Sequence, residues 1–113
     1  MSDTAALRRQ LKIKSGAASR LKKENELYQK ELVDLKVKKD KLVAEGAEAE
    51  EWDVKNAGRM MDESEKMIKD SAERLGKAYG ELRDLIVSAK KDPALQQDEE
   101  FLKAEGIMEE TAL

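Results

Sequence analysis

Residues 52–89 read WDVKNAGRMMDESEKMIKDSAERLGKAYGELRDLIVSA, and this segment is the most informative part of the chain about its architecture. Small or apolar residues recur in it at alternating spacings of three and four, the pattern of a helix face that packs against other helices. These eleven positions, called the seam below, are Val54, Ala57, Met61, Ser64, Ile68, Ser71, Leu75, Ala78, Leu82, Leu85 and Ala89. None of them is charged, although Asp, Glu, Lys and Arg make up 42% of the chain. We therefore predict a long helix over about residues 52–90.

The segments on either side predict two further helices. The first, over about residues 4–45, carries apolar residues at multiples of seven: Leu7, Leu21, Tyr28, Leu35 and Leu42. It should end at Gly46, which adopts the left-handed conformation easily. A turn at residues 46–51 is so short that the second helix must be an antiparallel neighbour. Asp92 as N-cap and Pro93 as first residue predict a third, shorter helix over about residues 93–110.

The predicted fold class is all-α, a single domain over residues 1–113. The chain has one Pro and 4% aromatic residues, so it lacks the residues that sheets prefer. We expect an antiparallel up-down-up bundle of two long helices and a shorter C-terminal helix. The seam is flanked by Ala72, Tyr79 and Ile86 on one side and by Met60 and Met67 on the other, and so wide a face favours two packing partners. If exposed, the methionine flank could serve a partner protein or a second copy.

The residue content excludes most familiar active sites. The chain has no Cys and no His, which removes thiolate chemistry, the commonest general base and the commonest metal ligand. Its paired carboxylates lie in charge-rich helical surface. We therefore expect no enzymatic activity, no cofactor and no bound metal. No apolar stretch approaches the roughly 20 residues that span a bilayer, so we expect a cytoplasmic protein without membrane contact.

Charge is distributed unevenly along the chain. Residues 1–45 contain 12 Lys and Arg against 7 Asp and Glu, whereas residues 46–113 contain 10 against 18. Opposite signs favour association of neighbouring helices, and they also leave the first helix attractive to an acidic partner. A nucleic-acid-binding helix is the alternative, disfavoured because the basic segment lacks interleaved aromatic residues and the pI is about 5.2.

Two aromatic residues have both a structural and a binding interpretation. Tyr28 lies on the heptad stripe of the first helix, and Trp52 lies beside the turn that precedes the second. Either could fill the bundle interior or its end. An exposed Trp beside a turn would instead be a candidate anchor for a partner.

Several motifs resemble the tubulin-binding cofactor A family. The run RQLKIKSG at residues 9–16 is similar to that family's first helix, and WDVK at 52–55 resembles its Tyr-Asp-Ile-Lys. ESEKMIKDS at 63–71 resembles its Glu-Ser-Arg-Met-Met-Ile-Pro-Asp-Cys. The order and spacing of these motifs, over roughly residues 8–90, carry the resemblance. Two departures are Lys69, where the family often has a Pro that bends the helix, and Ser71, where it often has Cys; a straighter second helix is expected.

The resemblance implies a tubulin-folding cofactor. Such a protein captures quasi-native β-tubulin released by the cytosolic chaperonin and passes it, through other tubulin-folding cofactors, to the αβ-tubulin heterodimer. It would be found in the cytoplasm and with the microtubule cytoskeleton, as a monomer or a homodimer. From charge and motif position we expect β-tubulin to contact the residues Lys12, Lys14, Arg20, Lys23, Tyr28 and Trp52.

A rival interpretation in the same class is a helical-hairpin oligomerisation or scaffold module. In that arrangement the third helix would be detached from the hairpin. Burial of Phe101 separates the two interpretations, because only an intact bundle hides that ring internally.

Overall fold

The computed structural model of the chain describes residues 2–46 and 50–111, and the helices in these ranges confirm the all-α fold class. Helix α1 spans Ser2–Glu45, α2 spans Glu51–Lys90 and α3 spans Glu99–Thr111, with a 3₁₀ helix at Pro93–Leu95. The chain divides into two compact units. The three-helix unit contains the described residues up to Lys22 and from Glu73 onward, and the two-helix unit is Lys23–Ala72. The single domain stays a prediction.

The ends of α1 follow from local backbone preferences and from one tertiary contact. Gly46 follows Glu45 with a φ of 61°, the left-handed conformation that ends helices. Thr4 lies within the first turns of α1 and donates its hydroxyl to Asp92 Oδ2 at 2.6 Å. The turn predicted at residues 46–51 falls partly on residues 47–49, which lie outside the described residues.

The hydrophobic core belongs to the three-helix unit. Seam residues Leu82 and Ala89 are completely buried there, as is Leu11 of α1. Phe101 of α3 is 3% exposed and packs in the same core. The third helix is therefore docked on the other two, which argues against the detached-helix arrangement of the rival scaffold interpretation.

Pairs of contacts give the helix directions within the three-helix unit. Thr4 bonds to Asp92 and Lys14 pairs with Glu81, so residue numbers rise along α1 while they fall along α2. On α3 they rise with α1, through the ion pairs Arg8–Asp98 at 2.6 Å and Lys22–Glu110 at 3.4 Å. In this unit the helices therefore run up, down and up.

The third helix begins later than the predicted residue 93. Asp92 Oδ1 accepts from the Ala94 amide and caps only the 3₁₀ turn Pro93–Leu95, and a second cap follows at Asp98, whose Oδ2 accepts from the Glu100 amide at 3.0 Å. Leu95 is completely buried. The sequence signal at Asp92 and Pro93 was a real helix start, but burial of Leu95 and the second cap split the segment in two.

Asp98 links the start of α3 to α1. Burial raises the pKa of Asp98, but the hydrogen bond from Arg8, the Phe101 amide and the Arg8 charge outweigh burial and hold it below its ordinary value of 3.8. A lowered folded-state pKa stabilises the fold above the unfolded-state value, and this contribution disappears as the pH falls through the folded-state pKa.

Asp98→Asn should therefore lower the free energy of unfolding at neutral pH, and the difference from wild type should shrink as the pH falls below 3.8. Urea titrations of both proteins, at several pH values from neutral to below 3.8, measure the difference in the free energy of unfolding. Asp84→Asn, at an exposed position of α2, is the control. A difference that stays constant with pH would show that the Asp98 charge does not contribute.

The two-helix unit pairs the second half of α1 with the first half of α2. Asn25 Nδ2 donates to Ser71 Oγ at 2.9 Å and to the Ile68 carbonyl at 3.1 Å. A Cβ added to Gly58 would lie 3.4 Å from Lys39 Nζ, so the helices of this unit are also antiparallel. Ser71, one of the two departures from the family pattern, is 4% exposed and is a partner in this buried polar contact.

Candidate partner-binding surface

An open groove of about 460 Å³ runs between the two helices of the two-helix unit. Its apolar side chains are Tyr28 and Leu35 from α1 and Met60 and Met67 from α2. Each pair is separated by seven residues, so both members lie on the same face of their helix. Met60 and Met67 are 38% and 39% exposed, whereas Tyr28 and Leu35 are half-buried. We call these four residues the methionine groove.

The rim of the methionine groove is acidic. The exposed carboxylates Glu31, Asp34 and Glu63 line it together with one cation, Lys38. The charged side chains keep the rim of the groove hydrated. The methionine thioethers and the Tyr28 ring offer apolar contact inside the groove. The groove can therefore accept apolar side chains, and its rim favours a partner with positive charge.

Trp52 lies at the start of α2 and is 68% exposed. With Lys55, Asn56 and Arg59 it lines a shallow surface pocket. Arg59 donates to Asn56 Oδ1 at 2.7 Å, which holds its guanidinium on the helix surface. The bundle-end interpretation of Trp52 is wrong, because the indole remains largely in contact with solvent. Its exposure instead fits the anchor interpretation.

The four basic residues predicted to bind a partner have different surroundings. Lys12 and Arg20 in the three-helix unit and Lys23 in the two-helix unit are exposed. Lys14 is half-buried and pairs with Glu81 at 2.6 Å. This Lys14 hydrogen bond, together with the Lys14 charge, lowers the pKa of the Glu81 carboxyl. Lys14 thus connects α1 to α2. It lies seven residues from both Leu7 and Leu21, so it is on the apolar stripe of α1.

The described residues lack both a metal-binding cluster and a membrane-spanning helix. In residues 2–46 and 50–111, no group of three or more Asp and Glu side chains is arranged to hold a metal ion. In the same ranges no helix is both long and apolar enough to cross a membrane.

Part of the signal for the methionine groove is present in the spacing of the sequence. The seven-residue spacing of Met60 and Met67 marked them as one flank of α2, and Tyr28 was already a candidate residue. Leu35 and the acidic rim were missed, because a charged helix surface has the same pattern whether or not it borders a groove. Only the pairing of α1 with α2 brings Glu31 and Glu63 to one opening.

A family model described as tubulin binding cofactor A matches residues 6–108. The chain belongs to this family. The resemblance drawn from the motifs of α1 and α2 is therefore confirmed, and it extends through most of α3.

Curated members of the tubulin binding cofactor A family are similar along nearly their whole length. Tubulin-specific chaperone A of Rattus norvegicus is 35% identical over 105 residues, which are 93% of this chain and 93% of the relative. The Homo sapiens protein of the same name is 34% identical over the same shares. The similarity therefore includes both compact units.

Two solved structures have the same fold. Human tubulin chaperone cofactor A has a TM-score of 0.75 and 32% identity, covering 95% of this chain and 99% of that one. The crystal structure of tubulin folding cofactor A from Arabidopsis thaliana has a TM-score of 0.83 and 26% identity, covering 96% and 97%. The all-helical architecture is thus common to family members from an animal and a plant.

Proposed function

We propose that this protein is a tubulin-folding cofactor that captures quasi-native β-tubulin after its release from the cytosolic chaperonin. It holds β-tubulin soluble and delivers it, through other tubulin-folding cofactors, to the αβ-tubulin heterodimer in the cytoplasm. The observation that carries the proposal is the match of the family model to residues 6–108, together with relatives named tubulin-specific chaperone A. No bond is made or broken in this activity.

The surface of the two-helix unit supports a holding function. A protein that holds an incompletely assembled subunit must cover apolar surface on that subunit and release it again. Exposed methionines suit this task, because their unbranched side chains adapt to different partner surfaces. The methionine groove and the exposed Trp52 ring provide such contacts.

The exposed basic residues are the proposed electrostatic contact with β-tubulin. Lys12, Arg20 and Lys23 are free to approach an acidic surface, and charge complementarity mainly accelerates encounter and selects the partner. Tyr28 and Trp52 are the proposed aromatic anchors. Lys14 contributes positive charge to the same helix, but its ammonium is engaged by Glu81.

Reversing Lys12, Arg20 and Lys23 together to Glu should weaken capture of β-tubulin about tenfold or more at low salt, with less effect at high salt, because the removed attraction is screened. Size-exclusion chromatography with light scattering, on mixtures with β-tubulin newly released from chaperonin, measures the complex. Lys14 is left intact, because its reversal would place two carboxylates together and disturb the fold.

The matched control reverses Lys36, Lys66 and Lys91, which are also exposed. It changes the net charge equally and should capture β-tubulin as the wild type does. Equal capture by the test variant, with unchanged helicity, would contradict the basic contact surface. Absence of any complex between wild type and competent β-tubulin would contradict the proposed function itself.

A further inference from the structure

The two-helix unit buries very little apolar surface. Among its described residues, the buried side chains are Ala57 and the polar Asn25, Ser64 and Ser71. The larger apolar residues of this unit are half-buried or exposed, including all four residues of the methionine groove. An apolar opening in a chain whose residues are 42% charged gains free energy when a partner covers it.

The dimensions of the methionine groove fit a short helical segment. Tyr28 and Leu35, like Met60 and Met67, are one heptad apart, which is about 10 Å along a helix axis. A partner helix presents apolar side chains at i, i+3 or i+4, and i+7 over the same length, and helices commonly dock into grooves in this way. The opening of about 460 Å³ can admit two or three such side chains.

The charges on the rim indicate what flanks those apolar side chains. Glu31, Asp34 and Glu63 outnumber Lys38, the one cation among the described residues that line the groove. Glu63 also pairs with Arg59 at 3.5 Å, so the net negative charge of the rim rests mainly on Glu31 and Asp34. Lys or Arg residues beside the apolar face of a partner would pair with these carboxylates, whereas Glu or Asp would be repelled. The rim of the groove therefore favours a positively charged partner, whereas Lys12, Arg20 and Lys23 favour a negatively charged one.

We propose that the methionine groove binds a basic amphipathic helical segment of the client protein. The apolar side chains of that segment contact Tyr28, Leu35, Met60 and Met67, and its Lys or Arg residues face Glu31, Asp34 and Glu63. The assignment of this segment to β-tubulin rests on the proposed function, but the chemistry of the groove can be tested without it.

A synthetic peptide of about 18 residues, with Leu at i, i+3, i+4 and i+7 and Lys elsewhere, is the direct probe. It should bind the full chain in a fluorescence-anisotropy titration. An otherwise identical peptide with Glu in place of Lys should bind about tenfold more weakly or not at all, because the acidic rim repels it. Equal binding of the two peptides, or binding of neither, would overturn the proposal.

Two pairs of variants locate the binding. Met60→Gln with Met67→Gln should weaken binding of the Leu/Lys peptide about tenfold, because the apolar contact is lost. Its control is Val33→Gln with Val43→Gln, at exposed positions of the same unit outside the groove. Circular dichroism confirms that each variant remains helical. Equal loss in test and control would assign peptide binding to nonspecific adhesion and overturn the proposal.

The second pair tests the rim. Glu31→Lys with Asp34→Lys should weaken binding of the Leu/Lys peptide and strengthen binding of the Leu/Glu peptide. The control with the same change in net charge is Glu26→Lys with Asp40→Lys, at exposed positions of α1 that do not line the groove. If both pairs weaken binding equally, only net charge matters and the proposed rim contacts are wrong.

The client experiment separates this inference from the proposed function. If β-tubulin binds the wild type and the Met60→Gln, Met67→Gln variant equally well, the groove inference fails while the proposed function stands. If β-tubulin binds neither protein but the peptide results hold, the proposed function fails while the chemistry of the groove stands. If the methionine variant instead converts a dimer of this chain into a monomer, the groove occupant is a second copy, and the proposal is overturned.

Discussion

Replacing Phe101 by Ala should lower the free energy of unfolding by about 3–5 kcal/mol, the range for a buried aromatic ring lost from a core. The ring is 3% exposed and packs in the same core as Leu82 and Leu95. Helix α3 has 13 residues, which is marginal for a helix in isolation, so its stability depends on this packing. We expect α3 to undock in the variant.

Leu102→Ala is the matched control, since Leu102 is the next residue in the same helix but is 47% exposed. Its effect should be below about 1 kcal/mol, as for exposed positions in general. Urea unfolding followed by circular dichroism gives both values, and hydrogen exchange of Glu99–Thr111 reports directly on undocking. Equal effects of the two substitutions would show that α3 contributes little to the stability of the core.

Amides of the two-helix unit should exchange with solvent about 100-fold faster than those of the three-helix unit, after correction for intrinsic rates. Local unfolding requires little free energy where it breaks few apolar contacts. Among the described residues of Lys23–Ala72, Ala57 is the only apolar residue that is buried. The three-helix unit instead has a core of aliphatic and aromatic side chains.

The comparison is best made inside α2, which runs through both units as one helix. Residues 57–68 should be less protected than residues 78–89, although both stretches carry the same spacing of seam positions. Addition of the Leu/Lys peptide should slow exchange of the first stretch. Equal protection along α2 would mean that the two units open together and that the sparse packing near Ala57 has no energetic consequence.

Much of the fold is already present in the spacing of small and apolar residues. All eleven seam positions of α2 are buried or half-buried. They include Ser64 and Ser71, which their polarity alone would assign to the surface. The all-α class follows from the same pattern and is confirmed. Periodicity works here because a long helix presents one face along its whole length, so each seam residue adds to the same signal.

The spacing of apolar residues does not predict whether a side chain is buried when burial depends on a second helix. Trp52 and Phe101 are both aromatic residues near a helix start, yet one is largely exposed and the other is buried. The difference is whether another helix packs against the face that carries the aromatic ring. The residues next to it in the sequence do not predict this. The split between Pro93–Leu95 and Glu99–Thr111 has a similar origin, because it depends on burial of Leu95.

The helical class, the seam of α2 and the family are all predicted by residue spacing and by motifs in α1 and α2. Which flank of α2 is covered, in contrast, depends on how the helices pack. In the three-helix unit α3 packs near Tyr79 and Ile86, while in the two-helix unit Met60 and Met67 face an open groove with an acidic rim. Local spacing specifies a face, but burial requires a partner, and that partner is supplied by residues distant in the chain.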